Sequence, residues 1–468
     1  MIFKIAFRNV FRNARRSTAT ILTIAVGTAA TLIFLAYTLY NVLGLQTSTV
    51  DRGGHLTIFR NGFYDFGAGN PAVWGIDDYQ TVLKLVRTDP VLAPMIAVVT
   101  PVQQVGGIAS NADSDVSKTF FGQGFIPSER DAMKRWNEYG TGGVSVGDTG
   151  LKDDDPSQGV IGSGLALILG LCKPLHFDYC PKLPKGAPKE LDQSPSAANL
   201  PSQDFSALSG RDVAAQQSAT GLPSLDILAA TAGGAPNVVR LKILRVEYQG
   251  VKALDDSYIG MHLALAQQLV YGRGEHKVTG IVVQLHRTED WQFAKQRMLE
   301  LFAKNNLNLE IKNYAELNPF YVQALQFLYS IFLFIAVIFG VVVLFTVSNA
   351  MSMSVVERTD EIGTLRALGL RRAKIRRQFI TEGFLLGVIG TTLGVIAALA
   401  IAALINRSGL TWTPPGQTYS VPLKLYLFGA TQSIVVIWII LVVVSTLASL
   451  LPANRAAKMQ IVDALRHV

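Results

Sequence analysis

Residues 351–394 read MSMSVVERTDEIGTLRALGLRRAKIRRQFITEGFLLGVIGTTLG. The stretch is a charged link between two apolar runs. Ile362, Leu365 and Leu368 recur at three-residue spacing with Glu357, Arg358, Glu361 and Arg366 beside them, which predicts a short helix that Gly369 ends. An apolar ridge bordered by charge suits a groove on a soluble partner. The cluster that follows, Arg371, Arg372, Lys374, Arg376 and Arg377, suits lipid headgroups instead. Beyond it, Gly383, Gly387, Gly390 and Gly394 step by four, three and four residues. They give one helix a smooth face for close approach, a packing feature that implies no pathway.

Outward from this link, four stretches carry no charged residue: 17–50, 317–356, 383–406 and 425–454, with lengths of 34, 40, 24 and 30 residues. About 20 apolar residues cross a hydrocarbon core of about 30 Å, so each is long enough to span. The 40-residue run would be about 60 Å as one helix, twice that thickness, so part of it is expected to project as a stalk. Of the 468 residues 49% are apolar and 16% charged, which excludes a disordered or fibrous chain. The runs at 90–112 and 156–172 are also uncharged. Prolines break the first into strand and turn, and the apolar core of the second is too short to span, so it reads as a buried helix, near Ser163 to Leu169.

The net charge of +8 first suggests a nucleic-acid partner, and its distribution removes that reading. Residues 1–16 carry +5, the 351–378 link +4 and the tail +2, whereas the block between the first two spans carries −4. Basic residues beside membrane ends place both termini and the link in the cytoplasm. The apolar core Ala19 to Leu35 exceeds that of a cleaved signal peptide, so the first span is expected to be retained. The fold class is therefore an α+β membrane protein with four transmembrane helices, one plus three, and a large extracytoplasmic α/β domain between the first and second. In residue numbers this gives an amphipathic elbow at 1–16, spans at 17–44, 321–350, 383–405 and 425–451, the external domain at 45–320, the cytoplasmic link at 351–378 and a cytoplasmic tail at 452–468.

Within 45–320, His55 to Arg60 alternates as a strand, Ile76 to Arg87 is helical and Ile96 to Ile108 is again a strand. The same order returns in Val278 to Leu285, Trp291 to Phe302 and Leu307 to Ile311. Two β-α-β units flanking a long middle predict one α/β subdomain with a second inserted at about 115–272. Inside the insertion, residues 172–236 are rich in Pro, Ser, Ala and Gln and read as a polar arm.

Chemistry-bearing patterns are few. The chain has no phosphate-loop, nucleophile-elbow or H-E-x-x-H motif, and its six histidines lack metal-ligand spacing. No catalytic residue and no metal site are expected. Leu208-Ser209-Gly210 resembles the start of an ATPase signature but lies in the polar arm, without a phosphate loop. Cys172 and Cys180 are the only cysteines; a disulfide closing the loop between them and two free thiols are both open.

ERTDEIGTLRALG at 357–369, followed by a charged stretch, Glu382 and a glycine-rich span, resembles the coupling region of FtsX-like permeases of the MacB and LolC/LolE (type VII) ABC transporters. The tail LPANRAAKMQIVDALRH, the opening AFRNVFRNARRSTAT and the GSGLALILGL segment at 162–171 are similar to that family as well. The chain departs from it in two ways: no ATPase domain precedes the first span, unlike MacB itself, and the 172–236 arm is longer than the family's connection.

The resemblance implies a non-catalytic permease of the bacterial inner membrane. It would pair with a second permease chain, identical or homologous, and rest the helix of Glu357, Arg358, Glu361, Ile362, Leu365, Arg366, Leu368 and Gly369 on a dimer of ABC ATPases. ATP and magnesium would be bound by that ATPase, with no cofactor in this chain. The external domain would extract or expel a lipidated or amphiphilic substrate, and the arm would meet a periplasmic carrier or adaptor. An FtsX-like signalling relay that activates an external hydrolase is the alternative, and a membrane scaffold without an ATPase is a third.

Overall fold

The computed structural model describes residues 6–9, 12, 14–67, 69–141, 147–175, 221–249, 252–272, 274, 276–412 and 420–460. The chain divides into two compact units: Met1–Gln46 with Pro319–Pro414 and Ser420–Val468, and Thr47–Asn318 with Pro415–Tyr419.

The first helix, α1 (Ala14–Gly53), is followed in the second unit by β1 (Leu56–Arg60), α2 (Tyr79–Thr88) and β2 (Ile96–Asn111). Asp78 caps α2 by accepting the Thr81 N–H at 3.3 Å, and Val82, Leu83 and Val86 bury one face of it at helical spacing. Next come β3 (Val116–Phe125), α3 (Pro127–Lys134), β4 (Gln158–Gly162), α4 (Ser163–Ile168), β5 (Ser224–Ala230), β6 (Pro236–Glu247), β7 (Tyr258–His262) and α5 (Leu263–Tyr271). The unit closes with β8 (Gly280–Leu285), α6 (Trp291–Lys304) and β9 (Leu309–Asn313).

Two sheets share the long strand β2. Its first half pairs with β8, β8 with β1, and β1 with β9, all antiparallel. With α2 and α6 this is a β-α-β, β-α-β plait of ferredoxin-like order, and Leu56, Ile58, Val82, Val86, Ile281, Val283, Met298 and Phe302 fill its core. The second half of β2 pairs with both β3 and β5, and β3–β7, β7–β4, β4–β6 and β6–β5 complete a closed ring. Closure leaves no free edge. Val105, Phe120, Ile161, Leu225, Ile227, Leu241, Ile259 and Met261 pack inside, joined by Leu165 of α4 and Leu269 of α5. Gly107 permits the close approach of β2 to β5, because a Cβ there would lie 2.0 Å from the Leu228 carbonyl oxygen.

Two expectations change here. Residues 156–172 hold a strand besides the expected helix: Gln158–Gly162 is an unexpected strand, and Ser163–Ile168 is helical. Gly159 serves close strand approach, since a Cβ on it would lie 2.7 Å from the Gly260 carbonyl oxygen. The polar arm of 172–236 is also shorter at both ends. Cys172–Leu175 is a helical turn, and Ser224–Ala230 is a strand whose Leu225, Ile227 and Ala229 point into the barrel. Residues 176–220, which hold the rest of the arm, lie outside the described residues.

In the first unit, α7 (Pro319–Glu357), α8 (Thr359–Ala367), α9 (Arg372–Ser408), α10 (Thr431–Ala448) and α11 (Leu450–Lys458) follow. Four helical segments, Ser17–Gly53, Pro319–Glu357, Arg372–Ser408 and Thr431–Lys458, are long and apolar enough to cross a membrane. All four differ from the expected limits. α1 continues past 44 to Gly53, α7 continues past 350 to Glu357, α9 begins at Arg372 and ends at Ser408 against the expected 383–405, and Leu425 to Ala430 precede α10 as non-helical chain. The helices extend because nothing in 45–53 or 351–357 breaks them; an uncharged run marks what a membrane can hold, not where a helix stops. Of the expected elbow at 1–16, residues 6–9, 12 and 14–16 are described and helical.

Candidate coupling site

The site forms where α7, α8, α9 and α11 converge. Glu357 is the last residue of α7, and Arg358, at φ −108° and ψ 21°, breaks the helix before α8 begins. Asp360 and Glu361 lie in the first turn of α8 and Arg366 in its last, each on the favourable end of the helix dipole. Gly369 at φ +89° terminates it, with the Leu370 N–H returning to the Leu365 carbonyl at 3.0 Å.

Arg358 does not border an exposed ridge. Its guanidinium donates from Nη1 to Glu382 Oε1 at 2.9 Å and Oε2 at 3.2 Å, with side chains 6% and 4% exposed. Asn9 completes the cluster: its Nδ2 donates to Glu382 Oε1 at 2.7 Å, and its carbonyl accepts from Arg358 Nη2 at 3.3 Å. The ion pair ties the start of α8 to α9 and to the N-terminal segment. At the other end of α8, Arg366 Nη1 donates to the Ala457 carbonyl at 3.0 Å, gripping the last turn of α11. Glu361 pairs at the surface with Arg12.

Ile362 is likewise not available to a partner. It is 4% exposed and packs with Met351, Val355, Ile375, Phe379 and Ala453. The three-residue spacing identified a real apolar face, but the face turns as it runs along the helix, from the core at Ile362 to the surface at Leu365 (38% exposed) and Leu368 (80%). Val356 and Met353 at the end of α7 are exposed too, as are the five basic residues from Arg371 to Arg377. What the site presents is therefore an exposed apolar edge beside a basic cluster, on a short helix pinned from behind at both ends.

The four glycines of α9 divide between two neighbours. A Cβ on Gly383 or Gly387 would lie 2.5 Å from Ser449 Cβ or 2.9 Å from Ser445 Cβ, whereas one on Gly390 or Gly394 would lie 2.7 Å from Ile24 Cβ or 2.5 Å from Thr28 Cβ. One half of the stripe admits the α10–α11 segment and the other admits α1. Ser445 adds a hydrogen bond across the first contact, donating to the Gly383 carbonyl at 2.9 Å. Sequence reasoning saw Glu382 only as a family landmark, and missed Asn9 and Ser445. Glu382, a lone carboxylate opening an apolar run, was the one signal that could have led to Arg358. Cys172 enters a disulfide, and Cys180, the chain's other cysteine, lies outside the described residues. Among the described residues no cluster of three or more His, Cys, Asp or Glu side chains is placed to hold a metal ion.

Residues 324–461, which contain this whole arrangement apart from Asn9, Arg12 and α1, match the FtsX-like permease C-terminal family. This membrane segment is an FtsX-like permease domain. The chain is similar to the macrolide export ATP-binding/permease protein MacB of Psychrobacter cryohalolentis, 37% identical over 119 residues, or 25% of this chain and 16% of that protein. The MacB of a Shewanella species is 30% identical over 242 residues, covering 49% of this chain and 34% of its own. The lipoprotein-releasing system transmembrane protein LolC of Haemophilus influenzae is 35% identical over 127 residues, 27% of this chain and 31% of that one. The matched regions thus span about a third or less of each of these relatives. Arg358, Glu382, Arg366 and the α9 glycines lie inside the matched segment, and Asn9 joins the clamp from outside it.

Proposed function

We propose that the chain is the permease subunit of an ABC transporter of the MacB and LolC type, coupling ATP hydrolysis on a separate ATPase chain to movement of the α/β unit on the outer side of the inner membrane. The observation that carries this is the pinned helix α8. Arg358, Glu382, Asn9 and Arg366 fix it to α9, α11 and the N-terminal segment, while Leu365 and Leu368 stay exposed at its free edge. A helix that only lay on lipid would need no such clamp. One that receives a push from a soluble partner needs both the apolar contact and the rigid backing.

In this reading Leu365 and Leu368 enter a groove on the ATPase, the basic cluster rests on the headgroups, and both termini are cytoplasmic. Closure of an ATPase dimer that binds ATP and magnesium shifts α8, and the direct chain link through Arg358 passes the shift to α7, which ends at Glu357. That helix is 39 residues long, about 58 Å, and delivers it beyond the bilayer to the α/β unit. A second permease chain covers the apolar surface of α7, where Phe327, Phe334 and Phe345 are exposed. The substrate class is lipidated or amphiphilic, by likeness to the macrolide-export and lipoprotein-releasing relatives. The 176–220 segment and the Cys172–Cys180 pair are proposed to serve an external carrier or adaptor.

Co-purification from native membranes tests this. The wild-type chain should retain an ATPase carrying a phosphate loop, and Leu368→Asp should lose it at unchanged membrane yield. Retention by the variant, or a wild-type preparation without any ATPase, would contradict the reading.

A further inference from the structure

The outgoing end of α1 is held by a buried polar socket that the permease reading does not use. Thr47 to Gly53 fold with the α/β unit. The last four carbonyls of a helix lack partners within it. Here Arg130 of α3 donates from Nη1 to the carbonyls of Asp51 at 3.1 Å and Arg52 at 2.7 Å, and Gln284 of β8 donates from Nε2 to the Val50 carbonyl at 3.2 Å and the Met133 carbonyl at 3.1 Å. Arg52 in turn donates to the Gln249 carbonyl. Gly54 closes the helix at φ +67°, where a Cβ would lie 2.4 Å from Val282 Cγ1.

Arg130 is 4% exposed, with its guanidinium 5.9 Å from the centroid of the Phe125 ring, and Gln284 is 1% exposed. Asp51 is 1% exposed, and neither carboxylate oxygen has a hydrogen-bond partner among the described residues. Burial raises its pKa to about 6 against the opposing pull of Arg52, Arg130 and Lys134, the last of which also pairs with Glu247 at 2.7 Å. A site built only to fill space would be apolar. This one spends two buried side chains on the carbonyls of a single helix end and sets a guanidinium beside a buried carboxylate.

We propose that Arg130 is a positioning residue that seats the end of α1 in the α/β unit, with Gln284 as its second contact, so that a displacement carried along α1 reaches β2 and β3 without slippage at the helix end. The seating stands on the geometry alone; its use in transmitting motion rests on the permease reading.

The test uses the full chain in lipid nanodiscs and reads hydrogen exchange. Arg130→Met should raise exchange in peptides covering 47–54 by about ten-fold or more while β4 to β7 keep their rates. Arg130→Lys, which retains a donor and the charge, should recover part of the protection. If Arg130→Met does not fold, Gln284→Met should show a smaller rise confined to the same peptides. Exchange that rises throughout the barrel, or nowhere, overturns the seating. With the co-purified ATPase present, ATP should alter barrel exchange in the wild type but not in Arg130→Met, with basal hydrolysis unchanged. A barrel response that survives in the variant overturns the transmission role. A wild-type chain that binds no ATPase defeats the permease reading and leaves the seating result standing.

Discussion

Replacing Arg358 with Met strands Glu382 in a position where its side chain is 4% exposed. The wild-type carboxylate receives both Arg358 contacts, at 2.9 and 3.2 Å, and one from Asn9 at 2.7 Å. Removing one partner of a buried ion pair costs about 3–5 kcal/mol, because the other charge stays buried without compensation. The surviving Asn9 hydrogen bond, a charge-assisted one, holds the loss near the lower end, about 3 kcal/mol. Replacing both partners by apolar residues of similar volume, Arg358→Met with Glu382→Leu, removes the charge as well as the pairing and should recover most of the stability. Unfolding of the purified chain in nanodiscs, followed by circular dichroism against denaturant, measures all three variants. The double variant should approach wild-type stability yet bind the ATPase less tightly, since α8 is no longer tied to α9. A single-variant loss under about 1 kcal/mol, or a double variant as unstable as the single, would refute the assignment of this pair as the clamp.

Gly394→Val drives a side chain against the Ala25 carbonyl, 2.6 Å from the position of its Cβ, and should cost about 1–3 kcal/mol in the same assay. Gly340→Val, with nothing within 4 Å, should be neutral; equal effects at the two sites would remove the packing role of the α9 stripe. His55 is buried and accepts the Leu285 N–H at Nδ1 at 3.0 Å, and burial lowers its pKa from 6.5 to about 4. The unfolded chain binds the proton first, so this contribution is intact above about pH 6.5 and is lost as pH falls toward 4, by up to about 3 kcal/mol. His55→Gln should flatten that part of the stability profile, and an unchanged slope would contradict it. For topology, a cysteine at Ser114 should react with an impermeant maleimide added to spheroplasts, and one at Thr364 only after permeabilisation. The reverse pattern would invert the proposed orientation.

The long helices were legible because an uncharged run leaves a helix little alternative. The plait was legible because β1, α2, β2 and β8, α6, β9 each keep their own period. Closure of the barrel was not, since it depends on β2 pairing with β3 along one edge and β5 along the other, and no local pattern encodes a shared strand. β4 offers only Val160 and Ile161 between glycines before its helix starts. β5 alternates properly, but it follows a long stretch whose polar composition dominates any window drawn across it. At the coupling site the spacing of Ile362, Leu365 and Leu368 located the helix but not the side the protein covers. The Arg358 partner lies 24 residues away on another helix, beyond the reach of spacing arguments.

Contact between the exposed edge of α8 and an ATPase is what the proposed function requires. A photoreactive amino acid placed at Leu368, activated in intact cells, captures whatever lies against that edge, and mass spectrometry identifies it. The prediction is a crosslink to a soluble chain carrying a phosphate loop, weakened in the Arg358→Met variant. Crosslinks to lipid alone, or none at any level of expression, would contradict it.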